Sequence, residues 1–346
     1  MFEVVNRTPF PAALVPFRDL AGRDYLGLVI KATFELEAAY KRPSAASPGE
    51  IQIAEEQPPP LTSDLRNGKT PTASARVLAE LTRPKLATDL VLVGHACTES
   101  PRDPQVDVCL RVGHHAKLVR VFGERVWCRA VGEWVISDTL PFERMPLVYE
   151  RAYGGADTSD PAPVRHGYEP RNPAGTGFVA HGSSVRLEGL RLPNLEDPRD
   201  LIGSWKQRPN PAGFGYVDAQ SEWRSRYAGT YDDAWRTQRA PLLPLDFDDR
   251  FFNAAHPELI YPGYLQGGEL VRVDGVAPRQ TLCFEVPRLK FSAAASIHDD
   301  TLDAAPRLDT LWIDADAAKL VLLYRAAFPT PRSGFGVRAV FVRRHA

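Results

Sequence analysis

Cysteine is scarce in this sequence, which contains only Cys97, Cys109, Cys128 and Cys283 among 346 residues. The four are widely spaced and include no Cys-x-x-Cys pair, so they do not outline a disulfide scaffold. A chain of this length buries enough surface to fold without such cross-links. We therefore expect a protein of a reducing compartment, the cytoplasm.

Charge of one sign and long apolar runs are also missing. The chain has 42 basic and 43 acidic residues, with no long run of either sign. Because nucleic-acid binding depends on concentrated positive charge, we expect no nucleic-acid partner. The start, MFEVVN, lacks the basic and apolar segments of a signal peptide. The longest apolar stretches, such as LVLLY at 320–324, are too short to span a bilayer, so we expect no membrane partner.

Proline, in contrast, is abundant: 31 prolines and 25 glycines indicate many turns and few long helices. Apolar residues alternate with polar ones at 106–112, 282–286 and 337–341, a period of two that is typical of half-buried strands. Further apolar runs at 24–36, 89–94, 118–122 and 319–324 also predict strands. The fold class predicted is mainly β: an antiparallel sandwich or barrel-like sheets, with long ordered Gly/Pro-rich loops and one or two short helices.

The strands fall in two parts of the chain. We predict a single domain over 1–346, and leave open two β lobes, 1–150 and 263–346, joined by a loop-rich region at 151–262. The strands from 89 to 128 are interpreted as a meander of consecutive antiparallel strands. The stretch 141–262 holds 14 of the 31 prolines. One helix is predicted there, capped by Thr230, favoured by Asp232 and Asp233, and stopped by Pro241.

Residues for catalysis or metal binding give only weak patterns. His95 and Cys97 would share one face of a strand, but no spacing supplies two further metal ligands. Arg144 with Glu150, and Glu143 with Arg151, are interpreted as structural ion pairs on one strand. We expect no cofactor, no metal and no enzymatic activity. The alternative of a hydrolase of unknown substrate rests on His95, Glu143, Glu150 and His181, with His181 and Ser183 as imaginable members of a triad.

Aromatic residues and arginines of the loop-rich region are the better candidates for function. Such side chains dominate the energetics of protein interfaces, although they also pack long loops onto a core. The predicted protein-binding residues are Tyr149, Arg151, Tyr153, Phe247, Phe251 and Phe252. A second alternative, a structural subunit that associates with itself, would use an exposed edge strand.

Several longer words of the sequence resemble a bacterial family. These words are NRTPF at 6–10, VIKATF at 29–34, VGHA at 93–96, FGERVW at 122–127, FERMP at 142–146, YERAYGG at 149–155, NPAGTGF at 172–178, LPNLE at 192–196, PAGFG at 211–215, GTYD at 229–232, PLLP at 241–244, DFD at 246–248 and FFNAA at 251–255. The chain resembles the type VI secretion accessory family, which is defined by a domain of unknown function and encoded beside PAAR-like effectors.

The resemblance implies a cytoplasmic bacterial adaptor or chaperone. Such a protein would bind a PAAR-like effector or spike-tip protein and help load the effector onto the secretion spike. The spike protein itself is a further candidate partner. The family supplies no catalytic residues to carry over. Arg171 stands where the family commonly has an acidic residue, so the preference for a cargo could differ here.

Overall fold

The computed structural model describes residues 3–43, 47–70, 72–180, 187–331 and 336–345. The first thirteen strands are β1 Glu3–Arg7, β2 Ala12–Arg18, β3 Asp24–Glu35, β4 Tyr40–Lys41, β5 Gln52–Ile53, β6 Leu65–Arg66, β7 Ala75–Val77, β8 Asp89–Val93, β9 His95–Cys97, β10 Gln105–Val112, β11 His115–Phe122, β12 Trp127–Ala130 and β13 Glu133–Ile136. The others are β14 Arg144–Pro146, β15 Tyr153–Gly154, β16 Ala156–Asp157, β17 Gly167–Tyr168, β18 Thr176–Gly177, β19 Leu195–Glu196, β20 Leu270–Ala277, β21 Gln280–Glu285, β22 Lys290–Ile297, β23 Asp300–Ala304, β24 Arg307–Asp314, β25 Lys319–Pro329 and β26 Val337–His345.

Helices are few and short, as predicted. The α-helices are α1 Glu222–Ser225 and α2 Asp233–Gln238, and single 3-10 turns lie at Glu37–Ala39, Tyr149–Arg151, Pro163–Arg165, Asp249–Phe252 and Pro257–Leu259. The mainly β prediction is confirmed. No helix within the described ranges has the length and apolar character that a bilayer crossing requires.

Three larger sheets organise the chain. The first has the order β2-β3-β25-β24-β8 with β5 added on β3, the second β19-β11-β10-β20-β21-β4, and the third β1-β26-β22-β23. Most pairs are antiparallel, whereas β8 runs parallel to β24 and β1 parallel to β26. Each sheet therefore combines strands from 1–150 with strands from 263–346.

The interpretation of 89–128 as one meander is wrong. Only β10 and β11 form the expected hairpin. β8 pairs instead with β24, more than 200 residues further along the chain, and β12 pairs with β13 in a small sheet of its own. Alternation within a strand reports which face is buried, but it does not report which strand lies alongside.

The main core fills the space that the apolar faces of these sheets enclose. Leu28, Ile30 and Leu322 of the first sheet belong to it, together with Val108 of the second and Phe291 of the third. Successive side chains of the first sheet point alternately to the main core and to the opposite face of the sheet. Loops cover that opposite face. Its apolar residues form a smaller cluster of Val29, Val321 and Leu323. The same face also carries charged side chains, which lead to the site described next.

Candidate functional site

A cavity of about 380 Å3 opens where the loops cover this second face of the first sheet. Leu323 and Arg325 of β25 form part of its wall. The remaining wall comes from loop segments at 64–85, 149–174 and 216–254. Its interior side chains, among them Tyr216 and Arg224, are buried, whereas Arg66, Ala219 and Gln220 at the rim are exposed. The cavity thus runs from the surface toward charged groups inside the protein.

Buried ion pairs form the inner part of this region. Arg325 pairs with Asp309, and its Nη2 donates to the carbonyl oxygen of Glu80 at 2.7 Å. A β-bulge at Asp309 lets this residue face Arg325, because the register of β24 against β25 shifts between Leu308 and Thr310. Both partners are almost fully buried, at 1% and 2% exposure. Removing one would leave an uncompensated charge, which is the costly case for buried pairs.

Two further pairs extend the network. Lys31 of β3 donates to Glu80 at 2.8 Å, and Lys85 donates to Asp89 at 2.6 Å. Asp89 also accepts hydrogen bonds from the side chain of Asn253 at 2.9 Å and from the backbone N–H of Ala254 at 2.8 Å. These contacts hold the sheet to the loops that line the cavity, which we call the loop layer. They are charge-assisted hydrogen bonds, which are stronger than hydrogen bonds between neutral groups.

Arg224 differs from the other cations of the cavity. Ser221 caps the short helix α1 and so places Arg224 inside, where it is 8% exposed. Its Nε donates to the carbonyl oxygen of Phe251 at 3.1 Å and its Nη1 to that of Val217 at 2.8 Å. The guanidinium also lies 4.8 Å from the centre of the Phe251 ring. Burial lowers the pKa of Arg224 from its ordinary value, and the group nevertheless stays charged because arginine starts so high.

Ion pairs order the rim of the cavity. Arg66 lies 3.2 Å from Asp218 and also donates to the carbonyl oxygen of Ala73 at 2.6 Å. Arg171 donates hydrogen bonds from Nε and Nη2 to the two carboxylate oxygens of Glu169, each at 2.7 Å. Hydrogen bonding of Arg171 to the carboxylate of Glu169 is the largest cause of the raised pKa of Arg171. Arg171, the position that departs from the family pattern, is therefore neutralised within the loop layer.

Of the predicted protein-binding residues, Tyr149 and Tyr153 are buried. Tyr149 lines the cavity, and Gly213 packs so closely on its ring that a Cβ there would lie 2.9 Å from a ring carbon. Burial raises the pKa of Tyr149 above its usual range, and its hydroxyl finds no hydrogen-bond partner within the described part of the chain. Asn172 holds the loop by donating to the carbonyl oxygens of Tyr149 at 2.8 Å and Tyr153 at 3.0 Å.

The three predicted phenylalanines form one cluster. The ring centres of Phe247, Phe251 and Phe252 lie 5.5 to 5.6 Å from each other. Phe247 is buried, while Phe251 and Phe252 are partly exposed and line the cavity. Arg83 stacks on Phe252 at 4.8 Å, as Arg224 does on Phe251. A role of this cluster in binding a protein stays a prediction.

The ion pairs proposed along 143–151 are wrong. Arg144 pairs with Asp316 at 2.7 Å, and Arg151 pairs with Glu124 and donates to Asn194 at 3.0 Å. The carboxylate of Glu150 instead accepts hydrogen bonds from the backbone N–H and hydroxyl of Ser74, at 2.6 and 2.7 Å. Strand β14 ends at Pro146 and a 3-10 turn follows, so the period of two does not continue through the segment.

The remaining candidates for catalysis occupy different surroundings. His95 lies 2.6 Å from Asp316, beside a groove lined by Cys97, Glu143 and Arg144. Burial raises the pKa of the Cys97 thiol. No group of three or more metal-ligating side chains occurs in the ranges that the structure describes. His181 and Ser183 lie outside those ranges.

The helix near 230 exists, but Thr230 does not cap it. The side chain of Asp232 accepts a hydrogen bond from the backbone N–H of Trp235 at 2.8 Å and is the cap. Thr230 bonds instead to the carboxylate of Asp246, through its N–H at 2.9 Å and its hydroxyl at 2.7 Å. Helix α2 ends before Pro241, as expected.

Sequence reasoning missed the cavity and its principal residues. Tyr216 and Arg224 belong to one loop segment, whereas Arg325 comes from the distant strand β25, so no local motif joins the three. One signal was available: Lys31 and Arg325 stand inside strongly apolar strands, where a charge requires a buried partner.

The sequence of the chain places it in a bacterial family. The family model for DUF2169, uncharacterized proteins conserved in bacteria, matches residues 21–325, and the chain is a member of that family. No curated protein and no solved structure matches the chain.

Proposed function

We propose that the protein is a type VI secretion accessory protein, an adaptor or chaperone of the bacterial cytoplasm. In this role it binds a PAAR-like effector or spike-tip protein and helps load it onto the secretion spike. The proposal starts from the resemblance of its sequence words to that family. The observation that carries it is an apolar patch, Tyr231, Trp235 and Leu245, fixed on the loop layer.

The patch is both exposed and held in place. Tyr231 is 52% exposed and Leu245 79% exposed. Thr230 and Asp246, the residues next to Tyr231 and Leu245, are joined by two hydrogen bonds, so the two apolar residues stand on neighbouring segments of backbone. Trp235 packs edge-on against Tyr231, with ring centres 4.7 Å apart, and its indole N–H donates to the carbonyl oxygen of Leu242 at 2.8 Å.

A fixed apolar patch suits binding of a folded partner. Aromatic side chains are frequent among the residues that dominate interface energies. A surface that is already ordered loses little conformational freedom on binding, so more of the contact energy appears as affinity. The buried members of the predicted set, such as Tyr149 and Phe247, would then act by shaping the loops and not by contact. We expect an interface of at least about 1,600 Å2 with the effector.

The test is co-expression of this chain with a PAAR-like protein, followed by co-purification and calorimetry. Tyr231→Ala together with Leu245→Ser should weaken binding roughly a hundred-fold, because each removes an exposed anchor. Val131→Ser is the matched control, since Val131 is also exposed but lies in the β12–β13 turn. Equal affinity of the double variant and wild type would refute this surface, and no complex with wild type would refute the partner.

A further inference from the structure

We infer that the cavity at Arg224 binds a carboxylate attached to an apolar body, with Arg224 as the group that pairs with the carboxylate. The inference goes beyond the proposed adaptor role and does not depend on it. It rests on three features: the state of the Arg224 guanidinium, the apolar side chains around it, and the other charges of the cavity.

Charge balance singles out Arg224. The five cations that line the cavity are Arg66, Lys85, Arg171, Arg224 and Arg325. Four of them have a carboxylate partner, namely Asp218, Asp89, Glu169 and Asp309. Arg224 forms no ion pair with any residue that the structure describes. Arg224 lies near Asp89, Asp218 and Asp64 but, among the described residues, makes contact only with two carbonyl oxygens and the Phe251 ring. A buried cation without a carboxylate in contact would be compensated further by an anion that enters the cavity.

The geometry leaves part of this guanidinium available. Nε and Nη1 are used by the carbonyl oxygens of Phe251 and Val217, whereas Nη2 makes no hydrogen bond within the described ranges. The ring of Phe251 and the two bonds hold the group in a fixed orientation. A carboxylate can therefore accept a charge-assisted hydrogen bond from Nη2 without any rearrangement of Arg224.

The rest of the wall is suited to an apolar body. Leu78, Val217, Ala254 and Leu323 line the cavity together with the rings of Phe251 and Phe252. A volume of about 380 Å3 lies at the lower end of the range of roughly 300–1,000 Å3 found for ligand sites. A ring or short aliphatic chain that carries one carboxylate fits both the size and the lining.

A single negative charge is favoured over a phosphate. Asp64, Glu80 and Asp218 also line the cavity, and only one cation lacks a partner there. A phosphate group, with nearly two negative charges at neutral pH, would be incompletely neutralised and repelled by these carboxylates. The same carboxylate chemistry is found in a free organic acid and in the carboxyl terminus of a peptide, so both are tested.

The experiment uses the full chain with defined probes, followed by calorimetry and ligand-observed NMR. Benzoate represents the free acid, and a tetrapeptide ending in phenylalanine represents a chain terminus. Benzamide, the same peptide with an amidated terminus, and inorganic phosphate are the matched probes. We expect at least one carboxylate probe to bind and its neutral counterpart and phosphate to bind at least ten-fold more weakly. The carboxylate that binds more tightly identifies the source.

Two variants locate the site. Arg224→Gln should weaken binding of the carboxylate probe roughly ten- to hundred-fold, the value of a charge-assisted hydrogen bond. Ala219→Trp fills the exposed rim and should also abolish binding, which keeps the test valid if Arg224→Gln does not fold. Arg338→Gln, an exposed arginine on β26, is the control that should bind as wild type does. The inference is overturned if no carboxylate probe binds, if benzamide or phosphate binds equally well, or if Ala219→Trp leaves binding unchanged.

Discussion

Asp309→Ala should destabilise the protein far more than removal of an ordinary surface carboxylate. Asp309 is 1% exposed and accepts hydrogen bonds from Arg325, from the backbone N–H of Lys85 at 3.2 Å and from the hydroxyl of Thr310 at 3.1 Å. Its loss leaves the guanidinium of Arg325 buried without a counter-charge. Breaking a buried pair in this way costs about 3–5 kcal/mol, a large fraction of the roughly 5–15 kcal/mol that holds a typical domain folded.

The measurement is the free energy of unfolding from urea titration, followed by fluorescence and circular dichroism. Asp299→Ala is the matched control, because Asp299 also pairs with an arginine, Arg338, at 3.2 Å but is 96% exposed. That control should change the free energy of unfolding by less than about 0.5 kcal/mol. The double variant Asp309→Leu with Arg325→Met removes both charges and should recover at least about half of the loss, since it leaves no unpaired ion.

Two results would contradict this reasoning. Exposed ion pairs contribute no more than about 1 kcal/mol. If Asp309→Ala also cost no more than this, burial of the Arg325 guanidinium would not depend on its partner. If the double variant were less stable than the single variant, the destabilisation would come from disturbed packing or lost hydrogen bonds and not from the uncompensated charge.

Three further predictions concern the loop layer. Asn172→Ala removes the two buried hydrogen bonds to the Tyr149 and Tyr153 carbonyls and should lower the free energy of unfolding by about 2 kcal/mol in urea titration. Asn210→Ala removes one exposed hydrogen bond, which Arg171 donates at 2.7 Å, and should cost clearly less. Gly213→Ala places a methyl group against the Tyr149 ring and should lower the melting temperature, while Gly132→Ala, which meets no atom within 4 Å but has φ of 88°, tests backbone strain alone. Burial, and next the charge of Lys117, lowers the pKa of His256 below its ordinary 6.5. The unfolded chain therefore binds a proton that the folded chain does not, so stability should fall as the pH drops below about 6.5, by up to about 1.4 kcal/mol per unit. His256→Gln should flatten this slope and His114→Gln, at an exposed histidine, should leave it unchanged in titrations between pH 7 and 5.

The sequence predicted the strands well because each strand is decided locally. The apolar run at 24–36 became β3, the alternation at 106–112 became β10, and the run at 319–324 lies in β25. Residues that alternate in a strand report their own burial, so the pattern can be read without knowledge of the neighbours. The predicted cap of α2, Thr230, is two residues before the observed cap, Asp232, because both side chains can accept a backbone hydrogen bond. In the structure Thr230 bonds to Asp246, and Asp232 accepts from the N–H of Trp235.

Pairing and the cavity could not be predicted, because both depend on residues far apart in the chain. β8 meets β24 across more than 200 residues, and Arg325 meets Asp309 only because a bulge turns Asp309 toward it. Arg144 found its partner in Asp316 and not in the nearby Glu150 for the same reason. A charge inside an apolar strand signals that a partner exists, but its identity follows from the topology.

The buried pairs also explain how one sheet can carry both a core and a site. Its inner face is apolar and packs on the other sheets, so it needs no further support. Its outer face bears Lys31, whose partner Glu80 lies in the loops, and the pair Asp309 and Arg325. That pair also bonds to the loops, because Asp309 accepts from the N–H of Lys85 and Arg325 donates to the carbonyl oxygen of Glu80. The loop layer is therefore part of the folded structure and holds the cavity open at a defined shape. We expect Asp309→Ala to lower the free energy of unfolding and also to weaken binding of the carboxylate probe, whereas Asp299→Ala should change neither. That result would establish the coupling between the ion-pair network and the cavity. Loss of stability with unchanged binding would show that the cavity is shaped independently of the network.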